Sequence, residues 1–205
     1  MTEPEEIEKG RTALRAFLDD SEARAVVFPM SDHSRLVRVF LPSFFARLRL
    51  GLRHAMVCLG DWMPTCRSKA FFYRLAGATI GRRVCIAPGA ILDPIYPQLV
   101  VLEDDACLGM GSRILTHEYT ATNFRIGRVR VCRKAVVGAW STVRSGVTVG
   151  EGATIGFQSL VNRDVPPGDV VGGVPARSLK AQPPTESAPA AASAPDEGKA
   201  APSKG

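Results

Sequence analysis

The sequence predicts a mainly β protein, a parallel β-helix with an N-terminal helical region and a disordered C-terminal tail. Of the 205 residues, 45% are hydrophobic and 22% are charged, which is typical of a globular protein with a buried core. A six-residue period runs through the second half of the chain. The last 25 residues are almost entirely alanine, proline, serine and charged residues, which bury too little apolar surface to fold. We therefore expect a helical region at 1–76, a β-helix at 77–180 and a disordered tail at 181–205.

The period is defined by the first and fifth residues of each hexad. All twelve first positions are Ile, Leu or Val, and ten of the twelve fifth positions are Ala, Ser or Val. The first positions are Ile80, Ile86, Leu92, Leu102, Leu108, Ile114, Val131, Val137, Val143, Val149, Ile155 and Val161. Because the fifth residue of one hexad lies two residues before the first residue of the next, both point to the same side of a short strand. Three strands close one coil of about 18 residues, so the hexads predict about four stacked coils.

The N-terminal region is predicted to be helical. Residues 5–28 have apolar residues near helical spacing and acidic residues in the first turns. A second helical stretch at 34–60 is expected to break or kink at Pro42. A third follows Pro64 and is expected to end at Gly77.

The excess of basic over acidic residues is concentrated in this region, since residues 33–74 carry eight basic residues and one acidic residue. Two interpretations stay open. Residues 34–60 either cap the open end of the β-helix with solvated arginines or form an amphipathic helix that contacts anionic lipid. No recognised nucleic-acid motif accompanies the charge, so we expect no nucleic-acid partner.

The cysteines and the N-terminus indicate a cytoplasmic protein. The five cysteines are far apart and include no C-x-x-C pair, which favours reduced thiols over disulfides or a zinc site. The first residues are acidic where a signal peptide would be basic, and no apolar run reaches the length of a membrane span. We expect a soluble or membrane-surface protein without a metal.

Two insertions interrupt the period. Four residues are added between Leu92 and Leu102, and eleven between Ile114 and Val131. A long excursion from a rigid solenoid is a usual place for function, because the scaffold fixes both ends. His117 lies at the root of the longer insertion and is the only histidine in the repeat region.

Three stretches resemble the hexapeptide-repeat acyltransferases, and the resemblance spans roughly residues 62–180. They are WMPTCRSKAFFYRLAGATIG before the coils, ILTHEY at the longer insertion and VPPGDVVGGVPARSLK at the end of the coils. The last resembles the C-terminal signature of galactoside, maltose and xenobiotic O-acetyltransferases. The resemblance implies a left-handed β-helix, a homotrimer, and acetyl-CoA or another acyl-CoA bound in the groove between neighbouring subunits.

The resemblance also implies roles for residues at the two insertions. His117 would accept the proton of an acceptor hydroxyl during attack on the thioester, as imidazole can near neutral pH. Asp93 would orient His117 or bind a substrate hydroxyl, with a turn-capping role before Pro94 as the alternative. Glu118 is a second candidate on the acceptor side. We expect it to be a solvated neighbour, because adjacent residues on an extended segment point in opposite directions.

The family's CoA-binding positions fall on Ala139, Phe157, Asn162, Arg163, Arg177 and Lys180. Ala139 would leave room for the pantetheine arm, and the basic residues would neutralise phosphates unless they serve only solubility. Phe157 stands where the family usually has a small residue, so its ring either stacks on the cofactor or narrows the groove. Trp140 is expected to point outward, at a subunit interface or against the cofactor.

The predicted function is acyl-CoA-dependent acyl transfer to a hydroxyl, or to an amine, of a saccharide or another small molecule. The alternative is a non-catalytic trimeric scaffold. A carbonic anhydrase of the hexapeptide class is excluded, since its zinc needs three histidines and the repeat region has one.

Overall fold

The computed structural model describes residues 3–29 and 43–180, and its main body is a β-helix with three faces. The first face contains β2 (Thr79–Ile80), β5 (Val100–Leu102), β10 (Val129–Val131) and β13 (Thr148–Val149). The second contains β3 (Cys85–Ile86), β6 (Cys107–Leu108), β11 (Val136–Val137), β14 (Thr154–Ile155), β16 (Val170–Gly172) and β17 (Arg177–Ser178). The third contains β4 (Ile91–Leu92), β7 (Arg113–Ile114), β12 (Thr142–Val143) and β15 (Leu160–Val161). All neighbouring strands are parallel except β17, which returns antiparallel to β16.

The period of six therefore predicts the architecture correctly. Every first-position residue of the hexads is buried, and equivalent residues of successive coils pair in register. On the first face, Ile80 pairs with Leu102, Leu102 with Val131 and Val131 with Val149. Each buried Val, Leu or Ile side chain stabilises the fold by about 1.5–3 kcal/mol relative to exposure. The predicted tail, 181–205, lies outside the described residues.

The corners of the coils explain the residues found at the fourth and second positions of the hexads. Nine of the twelve fourth positions adopt positive φ, and five of these nine are not glycine: Arg83, Asp105, Lys134, Trp140 and Gln158. Glycines at second positions lie against the next coil. A Cβ at Gly109 would stand 2.6 Å from the Ala139 nitrogen, and one at Gly138 would stand 2.5 Å from the Ile155 oxygen. A side chain is excluded at these two glycines because the backbone of the next coil lies so close, and not because the turn requires glycine.

The helix predicted at 5–28 is too long. Helix α1 spans Glu3–Asp19, and the Asp20 carboxylate then accepts the backbone N–H groups of residues 22 and 23. Strand β1 follows at Ala25–Pro29 and pairs antiparallel with β9 (Asn123–Gly127), which also pairs with β8 (His117–Tyr119). The residues AVVFP form a strand because the longer insertion offers them an unpaired edge. The first part of the N-terminal region therefore packs on the insertion and does not cap the coils.

The other two helices lie at the N-terminal end of the coils. Helix α2 spans Phe44–Trp62, with the Ser43 side chain accepting the Ala46 N–H, and helix α3 spans Cys66–Leu75. Val57 and Tyr73 are buried in the same core as the coils, which is the packing that the cap interpretation predicts. The predicted kink at Pro42 lies outside the described residues. In the two described ranges, no helix combines the length and the hydropathy needed to cross a membrane.

A second, smaller core lies beside the coils. It joins α1, β1, the longer insertion and a short 3-10 helix at Pro97–Leu99 in the shorter insertion. Its buried members are Phe17, Phe28, Leu99, Phe124 and Ile126. This core fixes the two insertions to each other and to the N-terminal segment.

Candidate active site

The candidate catalytic residues lie at the corner that follows the third face. Asp93 comes directly after β4, and His117 lies three residues after β7, one coil further on. Leu92 and Ile114, which precede them, pair in register on the third face. The scaffold thus stacks the starting points of both insertions at one edge.

Asp93 and His117 form a hydrogen-bonded pair. Asp93 Oδ2 lies 2.6 Å from His117 Nδ1 and also accepts the Thr116 N–H at 2.9 Å. Its other oxygen accepts the N–H groups of Ile95 at 2.9 Å and Tyr96 at 3.2 Å. One oxygen of Asp93 therefore caps the turn and the other is hydrogen-bonded to His117, while the binding of a substrate hydroxyl by Asp93 stays a prediction.

The Asp93 carboxyl is fully buried, yet it is held ionised. Burial by itself would raise its pKa, but the hydrogen bond and charge of His117 and the N–H groups of Thr116 and Ile95 outweigh that effect. The pKa falls from 3.8 to about 2. A buried carboxylate at Nδ1 selects the tautomer with its proton on that nitrogen, which leaves the Nε2 lone pair for a substrate.

Two aromatic residues fix the plane of the imidazole. The Phe124 ring stacks on His117 at 6.0 Å with an interplanar angle of 23°, and the Tyr96 ring meets it edge-on at 5.7 Å and 75°. The His117 side chain remains 27% exposed. Sequence reasoning missed both aromatic residues, although each lies in one of the two insertions that it singled out.

Glu118 is not the solvated neighbour that the sequence suggests. One carboxylate oxygen accepts from Arg144 Nε at 2.6 Å, and the other accepts from the Ser145 hydroxyl at 2.6 Å. Arg125 donates in turn to the Ser145 hydroxyl at 3.0 Å. The side of β8 opposite to His117 faces the next coil rather than solvent. The sequence by itself does not predict this contact. Glu118 thus anchors the strand that carries His117.

Three of the predicted CoA-binding residues lie together further along the same corner. Asn162, Arg163 and Arg177 line a pocket of about 210 Å³. Within the described ranges, the buried Asn162 Oδ1 has no hydrogen-bond partner. Lys180 is near this group, with Nζ 3.9 Å from Asp169. Two guanidinium groups and an unpaired acceptor suit a ligand that carries both anionic groups and hydrogen-bond donors, as CoA does.

Ala139, Trp140 and Phe157 lie at a different corner, between the second and third faces. Ala139 occupies the third hexad position, with Phe157 at the same position one coil later, 78% exposed. Trp140 is 60% exposed, as predicted for an outward side chain, and its ring lies over Gly111. In one chain the third face separates these residues from His117, so the structure does not bring the two groups together.

The described residues contain no cluster of three or more His, Cys, Asp or Glu side chains able to hold a metal. The five cysteines are free thiols.

Comparisons with known proteins extend this description. No model of a known protein family matches the chain. YvoF of Bacillus subtilis (strain 168), a proposed acetyltransferase, is 29% identical over 152 residues, which is 74% of this chain and 87% of YvoF.

Two solved structures share the fold. A hexapeptide-repeat acetyltransferase of Vibrio cholerae O1 biovar eltor, complexed with acetyl-CoA, is 18% identical with a TM-score of 0.56, over 67% of this chain and 89% of that one. A maltose O-acetyltransferase of Clostridium difficile 630 is 15% identical with a TM-score of 0.57, over 74% and 97%. The resemblance predicted from the repeats is confirmed, and the chain has the left-handed β-helix fold of the hexapeptide-repeat acetyltransferases.

Proposed function

We propose that this protein transfers an acyl group from acyl-CoA, with acetyl-CoA as the expected donor, to a hydroxyl of a saccharide or another small molecule. The observation that carries the proposal is the 2.6 Å contact between His117 Nδ1 and the buried Asp93 carboxylate. The named activity of YvoF and the acetyl-CoA complex of the Vibrio cholerae protein support an acyltransferase on this fold.

The chemistry follows from the protonation of this pair. With its proton held on Nδ1 by Asp93, His117 accepts the proton of the acceptor hydroxyl at Nε2 as that oxygen attacks. Acyl-CoA supplies an activated thioester carbonyl carbon. As the new C–O bond forms and the C–S bond breaks, Nε2–H returns its proton to the departing sulfur. The Asp93 carboxylate stabilises the imidazolium between the two proton transfers.

The surroundings of the pair favour this role over that of a surface histidine. Phe124 and Tyr96 hold the ring, so little rotamer freedom is lost when an acceptor binds. Glu118 fixes the start of the insertion through Arg144 and Ser145. A base held within a few tenths of an ångström by its neighbours is the arrangement that general-base catalysis requires.

The donor would bind through residues of two chains. Asn162, Arg163 and Arg177 offer groups for the phosphates and polar parts of CoA, with Lys180 beside them. The corner with Ala139, Trp140 and Phe157 would form the opposite wall, supplied by a neighbouring subunit, because one chain keeps it away from His117. We infer a homotrimer on this ground, and a cytoplasmic location where acyl-CoA is available.

A thiol-release assay with purified full-length protein tests the proposal. Acyl-CoA donors are screened against hydroxyl and amine acceptors, and His117→Ala is compared with wild type at saturating donor and acceptor. Loss of the base should lower turnover by about 10²–10⁴ and leave CoA affinity nearly unchanged. His54→Ala, which removes an exposed histidine of α2, is the matched control and should keep full activity.

Near-wild-type turnover of His117→Ala would contradict the base assignment. A wild-type protein that releases no thiol and is not stabilised by CoA would favour the scaffold alternative.

A further inference from the structure

Helix α2 carries an apolar stripe that faces away from the core. Its buried side includes Val57 and Gly60. On another side, Phe44, Phe45 and Trp62 are 73%, 78% and 88% exposed. Three exposed leucines lie between them along the helix: Leu48, Leu52 and Leu59. We call these six residues the outer stripe. An exposed apolar patch of this extent on a soluble protein marks an interaction surface.

The helical positions show that the outer stripe is continuous. At about 100° per residue, its six side chains fall within an arc of about 100°, and the buried Gly60 lies about 60° beyond the edge of that arc. The stripe extends over the whole helix, about 28 Å at 1.5 Å per residue. α2 is therefore apolar on two sides. One side packs against the coils and α3, and the outer stripe stays exposed.

The charges around the outer stripe are basic. Arg47 and Arg49 are both exposed and border the stripe on its two sides. The one acidic residue of α2, Asp61, is half-buried and accepts the hydroxyl of the buried Tyr73. Phe, Leu and Trp on one side of a helix with arginine at its borders are the composition of helices that lie in the headgroup region of a bilayer.

We propose that the outer stripe of α2 docks on an anionic lipid bilayer, with the helix parallel to the membrane surface. The apolar side chains would enter the boundary between headgroups and acyl chains, and Arg47 and Arg49 would contact lipid phosphates. A second copy of α2 fits the stripe less well, because packing two stripes together would bring four arginines near one another with no carboxylate of the stripe between them. An anionic membrane supplies the missing countercharge. This surface is separate from acyl transfer and does not depend on it.

Vesicle flotation with the full chain tests the proposal. Vesicles of phosphatidylcholine alone are compared with vesicles of phosphatidylcholine and phosphatidylglycerol in equal amounts. We expect binding to the anionic vesicles that weakens as salt is raised. Changing Phe45, Leu48 and Leu52 together to serine should lower partitioning by about 100-fold, since these side chains provide the apolar insertion. Arg47→Gln with Arg49→Gln should lower it by about 25-fold, or about five-fold per charge near an anionic surface.

Matched controls separate docking from unfolding. Leu18→Ser with Val27→Ser removes apolar side chains that are also exposed but lie outside α2, and it should bind vesicles like wild type. Because all substituted side chains are exposed, circular dichroism and the melting temperature should not change in any variant.

Trp62 provides a second measurement. The chain has two tryptophans, so Trp140→Phe leaves Trp62 as the only indole. Its emission should shift to the blue with anionic vesicles and stay unchanged with neutral ones. The proposal is overturned by absence of binding to anionic vesicles, by equal binding of the serine variant, or by a fixed Trp62 emission. It is also overturned if the serine variant loses oligomer mass in solution, because the stripe would then be an interface between copies.

Discussion

Asp93→Asn would remove the charge beside His117 while nearly preserving the shape of the side chain. In the native protein, two carboxylate oxygens accept from four donors: Ile95 and Tyr96 on one oxygen, Thr116 and His117 on the other. Asparagine offers only one oxygen, so one pair of donors must face its NH₂ group. Both orientations of the amide leave backbone N–H groups unpaired in a buried site.

The expected cost follows from these contacts. Each buried donor without an acceptor costs about 1–3 kcal/mol. An NH₂ group that faces His117 leaves the Thr116 N–H unpaired, so the free energy of unfolding should fall by about 1–3 kcal/mol. The opposite orientation leaves the N–H groups of Ile95 and Tyr96 unpaired and should cost about 2–6 kcal/mol. If the NH₂ group faces His117, it donates to Nδ1, and the imidazole proton moves to Nε2. The base would then lack its lone pair, and turnover should fall by about 10²–10⁴, as for loss of a general base.

The pH dependence gives an independent check. Asp93 has a pKa of about 2 in the folded protein, below its ordinary value of 3.8, so its ionisation stabilises the fold above that ordinary value. This contribution, about 2 kcal/mol, is lost as the pH falls through about 4 toward about 2. The asparagine variant has no such ionisation, and its stability deficit should therefore shrink over the same pH range.

Urea unfolding across this pH range and thiol release at saturating substrates measure the two effects. Asp105→Asn is the matched control, because Asp105 is at a coil corner and pairs with Arg83, away from His117. It should retain full turnover. Wild-type turnover in Asp93→Asn, or a stability deficit that does not change with pH, would refute the assigned role of the carboxylate.

Four further predictions follow from the same structure. Light scattering should give the mass of a trimer, and a monomer mass at micromolar concentration would contradict a site shared between chains. Arg177→Ala should raise the CoA dissociation constant about 10–100-fold in calorimetry with a modest loss of turnover at saturation, whereas unchanged affinity would remove Arg177 from the donor site. Deleting 181–205 should leave melting temperature and turnover unchanged, and a large drop in melting temperature would show that the tail packs on the protein. Deleting 1–29 should lower turnover more than CoA affinity, because these residues pack on the insertion that carries His117; equal turnover would separate that packing from catalysis.

The β-helix was predictable because its periodicity is a local property repeated many times. Each hexad needs an aliphatic first residue and a small fifth residue in a narrow interior, and the fifth residue departs from this only at Tyr96 and Glu118, in the two insertions. Strand β1 was not predictable in the same way. Its five residues follow a helix and carry a weak pattern, and they become a strand only by pairing with β9, about 100 residues later. Contacts of this kind depend on the folded insertion, and no local signal encodes them.

In the candidate active site, too, some features were predictable from the sequence and others were not. His117 was found from its position at the root of the longer insertion, and Asp93 from the resemblance to the acetyltransferases. The structure explains their contact, since Leu92 and Ile114 are first positions of the same face in successive coils. The network of Glu118, Arg144 and Ser145 had no such signal, because it depends on how the insertion folds back over the next coil.

The position of the imidazole depends on parts of the chain that are far apart in sequence. The rigid coils fix Asp93 and the start of β8, but a histidine at the root of an eleven-residue insertion would remain mobile if only the coils held it. Phe124 stacks on the imidazole and is itself buried against Phe28 of β1, with ring centroids 5.5 Å apart. Arg128, at the end of the insertion, lies over the Phe17 ring of α1 at 4.5 Å. Because the N-terminal segment supports the ring from the side opposite to the coils, the pair has one orientation instead of several. A single orientation of the imidazole is what general-base catalysis requires, because the lone pair must already point at the acceptor hydroxyl.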